Sequence, residues 1–239
     1  MIRLHSVSKE VGRGRLRRLV LDDISWTIPP RSRYVILGHK GVGKTTLLNI
    51  ISGSHVPTTG WVERRATICP GLTLARALAV KTPRLMAAQL ARVYRMGPED
   101  VVKFAAEFAG MDGAMDVPIA SLPNSLRQRF GYALVYAIPF DFYLFDGRIG
   151  PQKGEFAKAC RSAFDARCKE AGVILMTSVP RIAERFDGTA GILHDGKLEF
   201  FRSVREAVSV FGTLEQPDSA LGLGEAADID RDDDDEEWM

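Results

Sequence analysis

Eight consecutive residues, Gly38-His39-Lys40-Gly41-Val42-Gly43-Lys44-Thr45, have the chemistry to hold a nucleotide's phosphates. They satisfy G-x-x-x-x-G-K-[ST], in which glycines let the backbone turn tightly and aim its N–H groups inward at phosphate oxygens. Lys44 would reach the β- and γ-phosphates, and the Thr45 hydroxyl would sit on Mg²⁺, with Thr46 completing the cradle. Such a loop needs a second acid at the end of another buried strand to hold the metal through its water shell. Phe142-Tyr143-Leu144-Phe145-Asp146 supplies one, making Asp146 the magnesium-side carboxylate.

The elements that must position these groups are legible around them. "RYVILG" reads as a buried strand running directly into the loop, and "KTTLLNIISG" as a helix closed by Gly53. Two extended stretches come first, "MIRLHSVS" and "LVLDDISWTI", the second stopped by Pro29-Pro30. "PTTGWVERRATIC" resembles a turn followed by a strand. From about Leu74 to Met111 the chain is Ala-rich and helical in pattern, with Pro98-Glu99-Asp100 as a helix start. "SLRQRFGYALVYAI" continues as helix and "FDFYLFD" is an apolar strand. "FAKACRSAFDARCKEAG" is an amphipathic helix, "VILMTS" a buried strand, and "GILHDGKLEFF" an extended pair around a His-Asp-Gly turn. Strands alternating with helices predict an α/β fold with a mostly parallel sheet and crossover connections.

Composition narrows the class. The 239 residues are 46% hydrophobic, enough for a sizeable core. Cys69, Cys160 and Cys168 show neither C-x-x-C spacing nor a His at ligand spacing, which argues for a reducing compartment. Cys160 and Cys168 lie eight apart on one helix and read as packing residues rather than redox groups. Neither a signal-peptide layout nor a run of ~18 apolar residues long enough to span a bilayer occurs, so the chain is expected to be cytoplasmic. The net charge of +2 hides an asymmetry: residues 225–239 hold nine acids and one Arg, leaving 31 basic against 21 acidic residues elsewhere. "RGRLRR", residues 13–18, is a basic cluster suited either to an anionic lipid or polyanionic surface or to a solvated hairpin. Residues from about 213 lose periodicity, and 213–239 read as a disordered acidic tail that solubilises the chain, folds back on its basic body or binds a partner.

In this order the motifs resemble an ATP-binding cassette (ABC) ATPase: antiparallel strands, P-loop, "SGSHVPTTGWV", a helical insertion, "YLFD" and a closing "FDGTAGILHDGKLEFF". More narrowly, "RQRFGYALVYAIPFDFYLFDG" followed by "FAKAC" is similar to the ATPase subunits of capsular-polysaccharide and O-antigen exporters. The resemblance implies a P-loop NTPase fold of the ABC nucleotide-binding type over residues 1–212, with an antiparallel β subdomain and a short helical insertion at about 72–138. It also implies ATP and Mg²⁺ as cofactors and a cytoplasmic, peripheral position on the inner face of the cell membrane. The implied partners are an integral-membrane permease, met partly by the Ala-rich stretch 72–95, and a second ATP-binding subunit in a homodimer or heterodimer. Nucleic acid is not among them.

Several family positions depart from the pattern. Gly147 stands where the family has the Glu that orients or deprotonates the attacking water, and Ser178 where it has a switch histidine. The signature loop aligns with Leu122-Pro123-Asn124-Ser125-Leu126, whose proline has neither a hydroxyl nor a backbone N–H to donate. Residues 61–88 hold no Gln, Lys153 takes the place of an expected aspartate, and no aromatic precedes Trp26 to stack on adenine. No catalytic residue is therefore intact, and hydrolysis is expected to be slow while binding is retained. His39 is expected to serve the loop's structure or its phosphate side, and His194, in a turn, to face solvent.

Two functions compete. One is the ATP-binding subunit of a polysaccharide exporter. The other is a catalytically impaired regulatory or structural ATP-dependent switch, paired with an active paralogue. A P-loop kinase or GTPase is disfavoured, because no Asn-Lys-x-Asp guanine-reading motif is present.

Overall fold

The computed structural model describes residues 1–12, 14–69, 82–147, 150–151 and 154–214. The acidic tail beyond Leu214, Lys153, Arg13 and the first part of the Ala-rich stretch, up to residue 81, lie outside them.

The described chain divides into two compact units. The first comprises residues 1–2, 28–32 and 64–174, the second residues 3–27, 33–63 and the chain from Leu175 onward. In the second unit, β1 (Ile2–Val11), β2 (Arg18–Ile28) and β4 (Thr59–Arg64) form a three-stranded antiparallel sheet in the order β2-β1-β4. β1 buries Leu4 and Val7 and β2 buries Leu21, Ile24 and Trp26; the alternation of period two slips by one residue at Ser6 and at Asp23, which turn at φ 45° and 52°. The same unit holds β3 (Arg33–Leu37), flanked by β7 (Gly172–Thr177, whose last three residues belong here) and by β8 (Thr189–His194). β3 runs parallel to β8, Tyr34 to Leu37 against Thr189 to Ile192. β9 (Lys197–Phe200) closes antiparallel on β8 through Asp195-Gly196, both at positive φ (45° and 75°), the backbone of a tight two-residue hairpin turn.

The first unit holds β5 (Ile68–Cys69), β6 (Phe142–Asp146) and the start of β7 in that order, β5 and β6 being parallel. Residues 142–145 and 172–174 are buried throughout, the continuous apolar run of a strand covered on both faces. Among its described residues this unit has the α-helices α2 (Pro83–Val93), α3 (Pro98–Ala109), α4 (Asn124–Ala137) and α5 (Glu155–Cys168). They pack sequentially, α2 on α3, α3 on α4 and α4 on α5. The Leu74–Met111 stretch is two helices within its described part, the second starting at the expected Pro98-Glu99-Asp100. The break falls at residues 94–97, where Arg95 turns at φ 56° and Pro98 restarts the helix.

The other elements of the second unit are α1 (Lys44–Ser52), α6 (Pro180–Glu184) and α7 (Val204–Phe211). Ser203-Val204-Arg205-Glu206 spells the start of α7. Ser203 Oγ accepts from Glu206 N at 3.2 Å, and Glu206 Oε2 accepts from Arg202 N at 3.2 Å. "PTTGWVERRATIC" likewise divides into two strands, β4 and β5, which join different sheets.

Two local features test the fold. Gly60 of β4 sits at φ 75°, and a Cβ there would lie 2.2 Å from Ser6 O and 2.3 Å from His5 O. Both obstacles are backbone, so Gly60→Ala is expected to destabilise by about 2–3 kcal/mol from strain and overpacking. At about 2–4 °C per kcal/mol for a chain of this size, thermal unfolding should come roughly 5–10 °C earlier. An unchanged melting temperature would mean that β1 and β4 are not registered in this way. The three cysteines are buried and form no disulfide among the described residues, and burial pushes the Cys160 thiol up to about 12. At neutral pH it is a packing group, as its helix position indicates.

Candidate nucleotide-phosphate site

Gly38 follows β3 directly, and its N–H donates to Thr177 O at 3.1 Å, tying the start of the loop to the end of β7. Thr177, 1% exposed, also accepts from Val179 N through its side chain at 3.1 Å. The loop then turns through Gly41 and Gly43, at φ 83° and 104°, and enters α1 with Leu47 N donating to Gly43 O at 2.8 Å. Gly43 is obligatory on a second count, because a Cβ there would meet Val20 Cγ1 at 2.5 Å. A Cβ on Gly38 would meet Leu193 O and Val42 Cγ2, each at 2.9 Å. β2 and β8 thus close on the loop so tightly that only glycine fits at its two ends.

Lys44 is folded back across the loop it belongs to. Its Nζ donates to Gly38 O at 2.7 Å and to His39 O at 2.9 Å. Val42 N donates to His39 O over 3.4 Å. These donors rest on the loop's own carbonyls, contacts that an arriving phosphate oxygen exchanges for shorter, charge-assisted ones. Lys40 and Thr45 are exposed, Thr46 is half-buried, and no acid lies in the first turn of α1, so its positive end is open to an anion. The residues present fit a polyphosphate.

His39 has a different setting. Its ring stacks on Phe211 of α7, centroids 4.4 Å apart at 24°, and its Nε2 lies 3.2 Å from Leu214 O. That accounts for a histidine inside the loop as a packing group, which the sequence pattern alone did not reveal. His194 is not the open turn residue expected. It ends β8, its side chain is only 29% exposed, and its Nε2 lies 3.3 Å from Asp195 Oδ2, because the turn begins one residue later. Trp26 is buried against Tyr34 and Phe200, with ring centroids at 4.9 and 5.3 Å. Ser178 is exposed, one residue past β7.

In the first unit, Asp146 is the exposed last residue of β6, after four buried ones. Gly147 follows at φ 85°, and a Cβ there would meet nothing within 4 Å among the described residues. Pro123 is the residue before α4, with Leu126 N and Arg127 N donating to its carbonyl at 3.1 and 3.0 Å, and Asn124 and Ser125 are exposed beside it. Among the described residues no group of three or more His, Cys, Asp or Glu side chains could hold a metal. The Thr45 hydroxyl and the Asp146 carboxylate are each a hard oxygen donor of the kind that binds Mg²⁺ alongside substrate phosphates and water. No described helix is long and apolar enough to cross a membrane.

The family model for the ABC transporter matches residues 21–76, the stretch containing the loop. The ATP-binding protein BexA of Haemophilus influenzae is 25% identical over 217 residues, covering 90% of this chain and 100% of that protein. The capsule polysaccharide export ATP-binding protein CtrD of Neisseria meningitidis serogroup B is 27% identical over 215 residues, with the same coverage. Among solved structures, a dimeric bacterial ABC transporter cassette superposes with a TM-score of 0.67 at 22% identity, covering 85% of this chain and 100% of that one. With the cradle between strand and helix and the α/β architecture around it, the chain is similar to ABC transporter ATP-binding proteins in the sequence around its loop and in its fold.

Proposed function

We propose that this chain is the ATP-binding subunit of an ABC exporter for capsular or related cell-surface polysaccharide. The observation that carries this reading is a phosphate cradle in a chain that matches a capsule polysaccharide export ATP-binding protein over nine-tenths of its length. Gly38 to Thr46 bind the triphosphate, and Thr45 and Asp146 serve its Mg²⁺. When bound, the metal supplies charge neutralisation at the phosphates. The chain works on the inner face of the membrane with a permease and a second ATP-binding subunit, identical or paralogous.

Hydrolysis is slow in this reading. Gly147 has no side chain with which to orient water, and Ser178 lacks an imidazole. Pro123 removes a donor from the signature loop, so a partner subunit's nucleotide would also be held less firmly. ATP binding rather than rapid turnover then supplies the work on the permease.

Deletion of the gene in its own host tests the assignment. Polysaccharide is expected to accumulate inside the cell and disappear from its surface, with export restored by the wild-type chain and not by Lys44→Ala. Unaltered surface polysaccharide in the deletion strain would remove the exporter reading. Rescue by Lys44→Ala would remove the role of ATP.

A further inference from the structure

The phosphate loop is held unevenly. Its ends are gripped by neighbouring atoms, Gly38 by Leu193 O and Gly43 by Val20, each within 3 Å of where a Cβ would stand. Its apex is not: among the described residues a Cβ on Gly41 would meet nothing within 4 Å, and the residue sits at φ 83°. A glycine in open space leaves the following peptide, Gly41–Val42, free to rotate. The contact that holds it comes from outside the motif. Arg18, at the first position of β2, donates from Nη2 to Gly41 O at 3.2 Å. Two residues on, Val20 packs against Gly43, so β2 lies along the loop with residues 18 and 20 facing 41 and 43.

In a trans peptide the C=O and the following N–H point in opposite directions. With Gly41 O fixed outward on Arg18, the Val42 N–H is aimed into the loop, where it rests on His39 O over a long 3.4 Å bond. This is the donor best placed to leave its present acceptor for a phosphate oxygen. We propose that Arg18 is a positioning residue for nucleotide binding: it sets the apex peptide of the phosphate loop so that the Val42 amide faces the phosphates before they arrive. The basic cluster at 13–18 thereby has at least one member committed to the nucleotide site. Arg17 is committed elsewhere, to Glu10 at 3.3 Å.

The proposal rests on the reading that the loop holds ATP, and two measurements separate their failures. The first is hydrogen–deuterium exchange of the nucleotide-free protein over residues 38–44. Arg18→Ala should speed exchange there and leave α1 unchanged, with the melting temperature retained. The second is the Kd for a fluorescent ATP analogue. Arg18→Ala should raise it about 5- to 10-fold, the loss of one charged-donor hydrogen bond at an exposed site. Arg18→Gln, which keeps an amide donor without the charge, should recover at least half of the lost affinity on a logarithmic scale. A Kd within two-fold of wild type, unchanged loop exchange, or Arg18→Gln no better than Arg18→Ala would each overturn the proposal. A wild-type chain that binds no ATP would instead overturn the functional reading, while the exchange measurement still decides whether Arg18 holds the apex.

Discussion

Lys44→Ala is expected to raise the Kd for ATP about 10- to 100-fold, with little change in the stability of the nucleotide-free protein. The asymmetry follows from what Lys44 does in each state. In the free protein its Nζ bridges Gly38 O and His39 O, two carbonyls at a half-buried position that water can solvate when the amine is removed. With nucleotide bound, the same amine meets phosphate oxygens, and a hydrogen bond between charged partners contributes about 1.5–3 kcal/mol. Equilibrium titration beside a thermal melt checks both halves. A large fall in melting temperature would show the lysine to be structural, and an unchanged Kd would show that the loop does not take phosphates.

The second large effect concerns turnover. A positioned proton acceptor contributes about 10²–10⁴-fold to a rate, so phosphate release from ATP by the wild-type chain should lie that far below an exporter subunit with its Glu intact. Gly147→Glu is expected to recover about tenfold or more. Among the described residues nothing lies within 4 Å of a Cβ at that position. The backbone opposes it, because φ 85° is a conformation that costs an L-residue about 1–2 kcal/mol, so the recovery should be partial. Ser178 remains a further deficit, and losses within one catalytic unit do not add. Ordinary exporter turnover by the wild-type chain, abolished in Lys44→Ala, would show that another group takes the role assigned to the missing Glu. Negligible turnover with ATP binding intact would leave a subunit that works by holding nucleotide, and would favour a paralogous partner that hydrolyses it.

The sequence by itself determined the parts of this protein whose physics is local. Residues 33–53 specify strand, loop and helix in one contiguous run: β-branched and aromatic residues, then glycines where the turn needs them, then an apolar helical face ended by Gly53 at φ 88°. The Asp195-Gly196 turn, Pro98 at a helix start and Asp146 at a strand end were legible for the same reason, each being set by its immediate neighbours. The start of α7 is local too, being spelled by Ser203 and by Glu206 three residues on.

Only the tertiary structure decided what lies far apart in the chain. β4 and β5 carry similar extended residues four apart, and their division between two sheets depends on which strands offer free edges, β1 for one and β6 for the other. His39 stacks on a ring in α7, and its ring nitrogen meets a carbonyl 175 positions away. Gly43 is required as much by Val20 as by its own turn, and Arg18 reaches Gly41 across 23 positions. A motif states which residues a phosphate needs. The packing of β2, β8 and α7 around it decides how those residues are held, because close packing is a property of surfaces brought together by the whole chain and carries no signature in any one segment.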